Sequence, residues 1–244
     1  MTEAEWLAAT DPTPMLEYVL GTASDRKLRL FAVACCRRLW HLVIDPRSRQ
    51  AVEVAERFTD CLATDEERQL AYSVAGEAVC DPTPGLSPYT MPSTDSERAG
   101  MAVECARSVV GYATRVTAAA VIPFGSMLRR LAEAAAYAAF DVSDPAFTAS
   151  DMAEDGARIG QAVLLRDIFG NPFRPIEADP KWLTSAVVGL ARAIYDGRAF
   201  DLMPILADAL EEAGCDNPDV LNHWRQPSEH VRGCWVVDLL LGKE

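Results

Sequence analysis

Histidine and lysine are scarce in this chain of 244 residues, with three of each. Acid–base or metal chemistry at an imidazole is therefore confined to His41, His223 and His230. Basic charge is also short: 23 Lys and Arg face 36 Asp and Glu, a net charge of −13 with an isoelectric point near 4.7. That balance speaks against a dedicated binder of nucleic acid or anionic membrane, whose affinity comes from cationic neutralisation of phosphate. No uncharged apolar run reaches the roughly 18 to 20 residues of a membrane span. The start, Met1-Thr-Glu-Ala-Glu-Trp6, lacks the basic and apolar regions of a secretory leader. The expectation is a soluble, cytoplasmic protein with neither nucleic acid nor membrane as partner.

Catalytic signatures are missing as well. There is no Gly-x-Gly-x-x-Gly, no Gly-x-x-x-x-Gly-Lys-Ser/Thr, no Gly-x-Ser-x-Gly and no His-Glu-x-x-His, so the common dinucleotide, nucleotide, hydrolase and metalloprotease motifs are excluded. The absence of Glu-x-x-His removes the ferritin-like di-iron bundle. The seven cysteines include an adjacent pair, Cys35-Cys36, and the rest fall inside apolar helical patterns. They do not form the spaced framework of a small secreted domain and fit a reducing compartment.

What is present is helix punctuation. Thr2-x-x-Glu5, Thr64-x-x-Glu67 and Thr94-x-x-Glu97 are capping boxes. Ser24 or Asp25 opens an amphipathic helix to about Val43, with Leu28, Phe31, Cys35, Leu39 and Leu42 on one stripe. Asp45-Pro46 starts another. Four prolines and a glycine over 81–93 exclude both helix and central strand and mark a long loop. Helices follow to Pro123 and then to Phe140, and residues 141–149 form the best boundary. Ser150 or Asp151 caps a helix ending at Phe169-Gly170. Asp179-Pro180 opens a helix to Tyr195, Met203-Pro204 one ending at Gly214, Asn217-Pro218 a short one, and Ser228 caps a last helix ending at Gly242. The pattern predicts an all-α, multi-helix bundle of about ten helices without substantial sheet. Residues 1–145 and 146–244 are expected as two helical regions packed together or as one continuous domain.

Two constellations could carry chemistry. Cys215, His223, His230 and Cys234 offer the two thiols and two imidazoles of a tetrahedral zinc site, and a continuous helix would put His230 and Cys234 on one face. The spacing lacks the close Cys pair usual in structural zinc sites. The competing reading makes Cys215 a residue packed back on its helix beyond Gly214, and Cys234 a small buried hydrophobe. The second constellation is a basic stripe, Arg26, Lys27, Arg37 and Arg38 with His41, eleven-residue spacing stacking Arg26 with Arg37 and Lys27 with Arg38. It reads either as a site for an anion or acidic partner, or as a stripe docked on the protein's own acidic segment at 201–219. Beside those guanidinium groups, Cys36 with His41 is a candidate reactive thiol.

The segments Asp-Ile-Phe-Gly-Asn-Pro-Phe-Arg-Pro at 167–175, Met-Pro-Ile-Leu-Ala-Asp-Ala-Leu-Glu-Glu-Ala-Gly-Cys at 203–215 and His-Val-Arg-Gly-Cys-Trp-Val-Val-Asp-Leu-Leu-Leu-Gly-Lys at 230–243 resemble an uncharacterised family of paralogous proteins abundant in planctomycete-type bacteria. Asp-Arg-Lys-Leu-Arg-Leu-Phe-Ala-Val-Ala-Cys-Cys-Arg-Arg-Leu-Trp-His at 25–41 resembles the same family, so the likeness covers both ends. The middle, about 64 to 150, does not share it. Residues 206–214 also resemble the small helical repeat-companion domain. The resemblance implies no activity; it favours an interaction module, and the family pattern carries Cys where this chain has Trp224. The expected function is a non-enzymatic helical protein-interaction or regulatory module binding another protein without a cofactor. The alternative is a zinc-binding or thiol-dependent enzyme using the Cys/His set.

Overall fold

A computed structural model describes residues 1–40, 43, 45–80, 148–225 and 229–243. The proline-rich loop at 81–93, the helices expected over 94–140, the boundary near 145, the cap at Ser228 and His41 lie outside the described residues. Among the described residues there are ten α-helices and no strand, so the all-α reading holds. In chain order they are α1 (Glu3–Ala8), α2 (Pro12–Val19), α3 (Asp25–Arg38), α4 (Pro46–Thr59), α5 (Asp65–Cys80), α6 (Thr148–Phe169), α7 (Ser185–Gly197), α8 (Met203–Glu212), α9 (Pro218–Arg225) and α10 (Trp235–Leu241). No described helix is long and apolar enough to cross a membrane.

The caps act as their chemistry requires. Thr2 and Glu5 satisfy each other's backbone amides, as do Thr64 and Glu67, relieving donors that a first helical turn leaves unpaired. Asp45 caps α4 with Pro46 just inside it. The helix expected from Asp179-Pro180 divides instead. Pro180–Trp182 forms a single 3-10 turn, and Thr184 then caps α7 by accepting from the Val187 amide at 3.3 Å. A buried Trp182 and a fresh hydroxyl cap three residues before Val187 make the break cheaper than a continuous helix.

Two compact units emerge. The first comprises residues 1–10, 14–31 and 162–244; the second comprises 11–13 and 32–161. In the first, a core of Trp182, Val187, Ala191, Ile194, Met203, Leu206, Leu210, Val220, Trp224, Val236, Val237 and Leu240 joins α7 through α10. The N-terminal residues belong to the same unit. Trp6, fully buried, donates its indole N–H to the Gly170 carbonyl at 3.0 Å, while Arg166 reaches back to the carbonyls of Trp6 and Ala9 at 3.0 and 2.9 Å. In the second unit α4 and α5 pack through Ala51, Val54, Ala71 and Ala75.

The expected single apolar stripe of α3 is too narrow. Every residue from Leu28 to Cys36 is buried, as befits a helix surrounded by its neighbours rather than lying on a surface. The helix also ends earlier than expected, at Arg38.

Candidate metal centre

Three segments of the first unit deliver polar side chains to one point. Asp167 comes from the last turn of α6, which stops at Gly170 with φ of +64°. His223 comes from α9, opened by Asn217, whose side-chain oxygen accepts from the amides of Asp219 and Val220 at 2.9 and 3.2 Å. His230 and Cys234 come from the connection between α9 and α10.

That connection differs from the sequence expectation. The last helix begins at Trp235, so His230 and Cys234 are not on one helical face. The reason is Gly233, which has φ of +96° and whose missing Cβ would meet Leu30 at 2.7 Å. A left-handed residue in that position ends any helix running through it, and the resulting turn closes with the Cys234 amide donating to the Val231 carbonyl at 3.0 Å. The turn, rather than helical spacing, points both side chains inward.

One donor atom each from Asp167, His223, His230 and Cys234 lie within 4.8 Å of one another. His223 Nε2 is 3.1 Å from Cys234 Sγ and 3.3 Å from Asp167 Oδ1, and His230 Nδ1 is 2.7 Å from the same Oδ1. The other carboxylate oxygen accepts from the Val231 amide at 2.9 Å. Trp235 donates its indole N–H to His223 Nδ1 at 3.2 Å. Asp167 and Cys234 are buried; the imidazoles are nearly so.

The electrostatics follow from burial and partners. Burial pushes the Asp167 carboxyl up, but the hydrogen bonds it accepts from His223 and His230 outweigh it and hold it below the ordinary carboxylate range. Burial drives the Cys234 thiol well above its usual range, and the charge of Asp167 adds to that. An uncharged thiol is a poor nucleophile and a poor metal ligand. Burial also raises the Cys215 thiol.

The donor set fits a borderline metal such as zinc. Two imidazole nitrogens, a thiolate and a carboxylate are ordinary zinc ligands at about 2.0–2.3 Å, which puts tetrahedral edges at about 3.3–3.8 Å. The separations of 3.1 and 3.3 Å around His223 Nε2 are close to such edges. A bound dication would supply the positive charge that deprotonates a buried thiol.

Of the sequence candidates, the structure gathers His223, His230 and Cys234 and replaces Cys215 by Asp167. Cys215 ends α8 in a Schellman turn. Its amide donates to the Leu210 carbonyl and that of Gly214 to Glu211, both at 2.9 Å, with Gly214 at φ of +87° and the thiol buried in the apolar core. Asp167, 63 positions before His230, left one signal in the sequence: a carboxylate among Leu164, Leu165 and Ile168 in a last helical turn, where the helix dipole disfavours negative charge.

The basic residues go elsewhere. Arg26 and Lys27 both pair with Asp238, at 2.8 and 3.0 Å. Lys27 also donates to the carbonyls of Ile168 and Gly233 at 2.8 and 3.3 Å. Arg37 pairs with Glu56 in the second unit, where Arg38 is exposed and Cys35 and Cys36 are buried. Asp238 and Glu56 are thus intramolecular partners of the stripe; in the 201–219 segment Glu211 pairs with Arg225, at 2.6 Å. A comparison with protein-family models matches none, and comparisons with curated proteins and with solved structures likewise return no match.

Proposed function

We propose that this chain is a non-enzymatic helical module whose first unit is organised around a structural metal centre of zinc type, held by Asp167, His223, His230 and Cys234. The observation that carries the proposal is the convergence of four chemically suitable donor atoms within 4.8 Å from three separate segments. Four protein ligands leave no open coordination position, which is the arrangement of structural rather than catalytic zinc. The centre would tie the turn before α10 to α6 and α9 without using any surface residue. A module of this kind presents a folded surface to a partner; Arg26, Lys27 and Arg37 are taken up internally, so they do not support the basic stripe as that surface.

The donation from Trp235 to His223 Nδ1 favours a second reading, in which the same residues form a metal-free polar knot with Asp167 at its centre. Metal analysis of protein purified without chelator or nickel resin separates the two. The metal centre requires close to one zinc per chain and a fall in melting temperature on chelation, because structural metal binding is folding free energy. Less than about 0.2 metal per chain, with melting unchanged by chelator, leaves the polar knot as the function of these residues.

A further inference from the structure

Trp235 occupies an unusual position beside the centre. Its indole N–H is a donor with no acceptor capacity, and it points at His223 Nδ1 from 3.2 Å. That contact requires a lone pair on Nδ1, so the single proton of the neutral imidazole sits on Nε2. Nε2 is the nitrogen that faces Cys234 Sγ and Asp167 Oδ1. A neutral imidazole that ligates a metal through Nε2 carries its proton on Nδ1 and gives it to an acceptor. Two N–H groups would then face each other across the Trp235–His223 contact.

The surroundings of the indole show where it can go. One face lies against Gly170, where an added Cβ would come within 3.0 Å of the ring. Trp235 also lines a cavity of about 390 Å³ together with Lys27, Phe169, Asn171, Arg174 and Leu239. Gly170 limits movement of the ring on the face it covers, and the cavity that the ring lines is open space next to it. Trp235 is only partly buried, unlike its neighbours Cys234 and Val236.

Resting on the metal reading, we infer that Trp235 is a positioning residue that holds His223 in its metal-free tautomer, and that metal capture displaces the indole toward the cavity. The imidazole proton moves from Nε2 to Nδ1 by way of solvent; no other bond changes at the ring. Metal occupancy is thereby coupled to the shape of the cavity wall.

The test is zinc titration of the full chain and of Trp235→Phe, which keeps an aromatic ring against Gly170 and removes the N–H. The substitution is expected to tighten zinc binding by up to about tenfold, the change set by one net hydrogen bond that no longer has to break. In the unaltered chain labelled with nitrogen-15 at indole, the Trp235 N–H resonance, assigned by its proximity to His223, is expected to lose its hydrogen-bonded shift and to exchange faster with solvent when zinc is added. This second measurement decides the matter if the variant does not fold. Equal zinc affinities with an unmoved indole resonance overturn the coupling and leave the metal centre standing. Absence of zinc binding in both proteins overturns the metal centre itself.

Discussion

Asp238 accepts hydrogen bonds from both terminal nitrogens of Arg26, 212 positions earlier in the chain, at 2.8 and 3.2 Å. The carboxylate is almost wholly buried, and Lys27 adds a second cation at 3.0 Å. Arg26 is oriented in turn by the Tyr195 hydroxyl at 2.7 Å. The pairing clasps α3 to α10 and α7 within one unit. Asp238→Ala removes the one carboxylate that both cations share and should destabilise the protein by about 3–5 kcal/mol. Arg26→Ala leaves Lys27 as a partner and should cost less, about 1.5–3 kcal/mol. Urea unfolding of the two variants measures the difference, and costs below about 1 kcal/mol for Asp238→Ala would show that the clasp contributes little.

Gly233 and Gly214 both have positive φ, yet they should respond differently to alanine. At Gly214 nothing lies within 4 Å of an added Cβ, so only the left-handed backbone is penalised, about 1 kcal/mol. At Gly233 the same penalty is joined by a clash with Leu30 at 2.7 Å, which adds about 1–3 kcal/mol of overpacking. Thermal melting should rank Gly233→Ala well below Gly214→Ala, and Gly233→Ala should also weaken zinc binding by moving His230 and Cys234. Equal melting temperatures would refute the close approach.

The two buried cysteines of the first unit divide into a ligand and a packing residue. Cys215→Ala should keep zinc affinity while losing about 1 kcal/mol of stability from a small cavity. Cys234→Ala should lower zinc affinity by more than about a hundredfold, beyond the effect of losing an outer partner. Competition with a chromogenic chelator reads both. A comparable loss of zinc affinity in Cys215→Ala would return that residue to the ligand set.

Asp167 gives the metal-free chain an acid-sensitive component of stability. Its carboxyl is held below the ordinary range when folded, so the unfolded chain binds its proton first. The contribution is therefore complete above the unfolded value of about 3.9 and is lost as pH falls through the lower folded value. Chemical denaturation between pH 6 and 3 in chelator, roughly the window on the upper side of that loss, should show stability declining with acid, with a shallower slope in Asp167→Asn. Parallel slopes would mean that the carboxylate is not preferentially stabilised.

The helical class was legible in the sequence because caps and apolar periodicity are local. Thr2 with Glu5, and Thr64 with Glu67, act within one turn of chain, so their pairing follows from spacing alone. Cys215 was legible for the same reason, since a Schellman turn is written in the residues around Gly214. His223, His230 and Cys234 could be nominated by residue type, but the fourth member of their group could not. Asp167 reaches them only because α6 packs beside the turn before α10, and no spacing rule connects positions 63 apart. The same holds for Arg26 and Lys27: charge counting suggested an acidic partner in the 201–219 segment, whereas packing places Asp238 between them. Local hydrogen bonding fixed what each segment of this protein becomes; burial of distant segments against one another decided which charges and ligands meet, because that choice depends on contacts that exist only after the chain has folded.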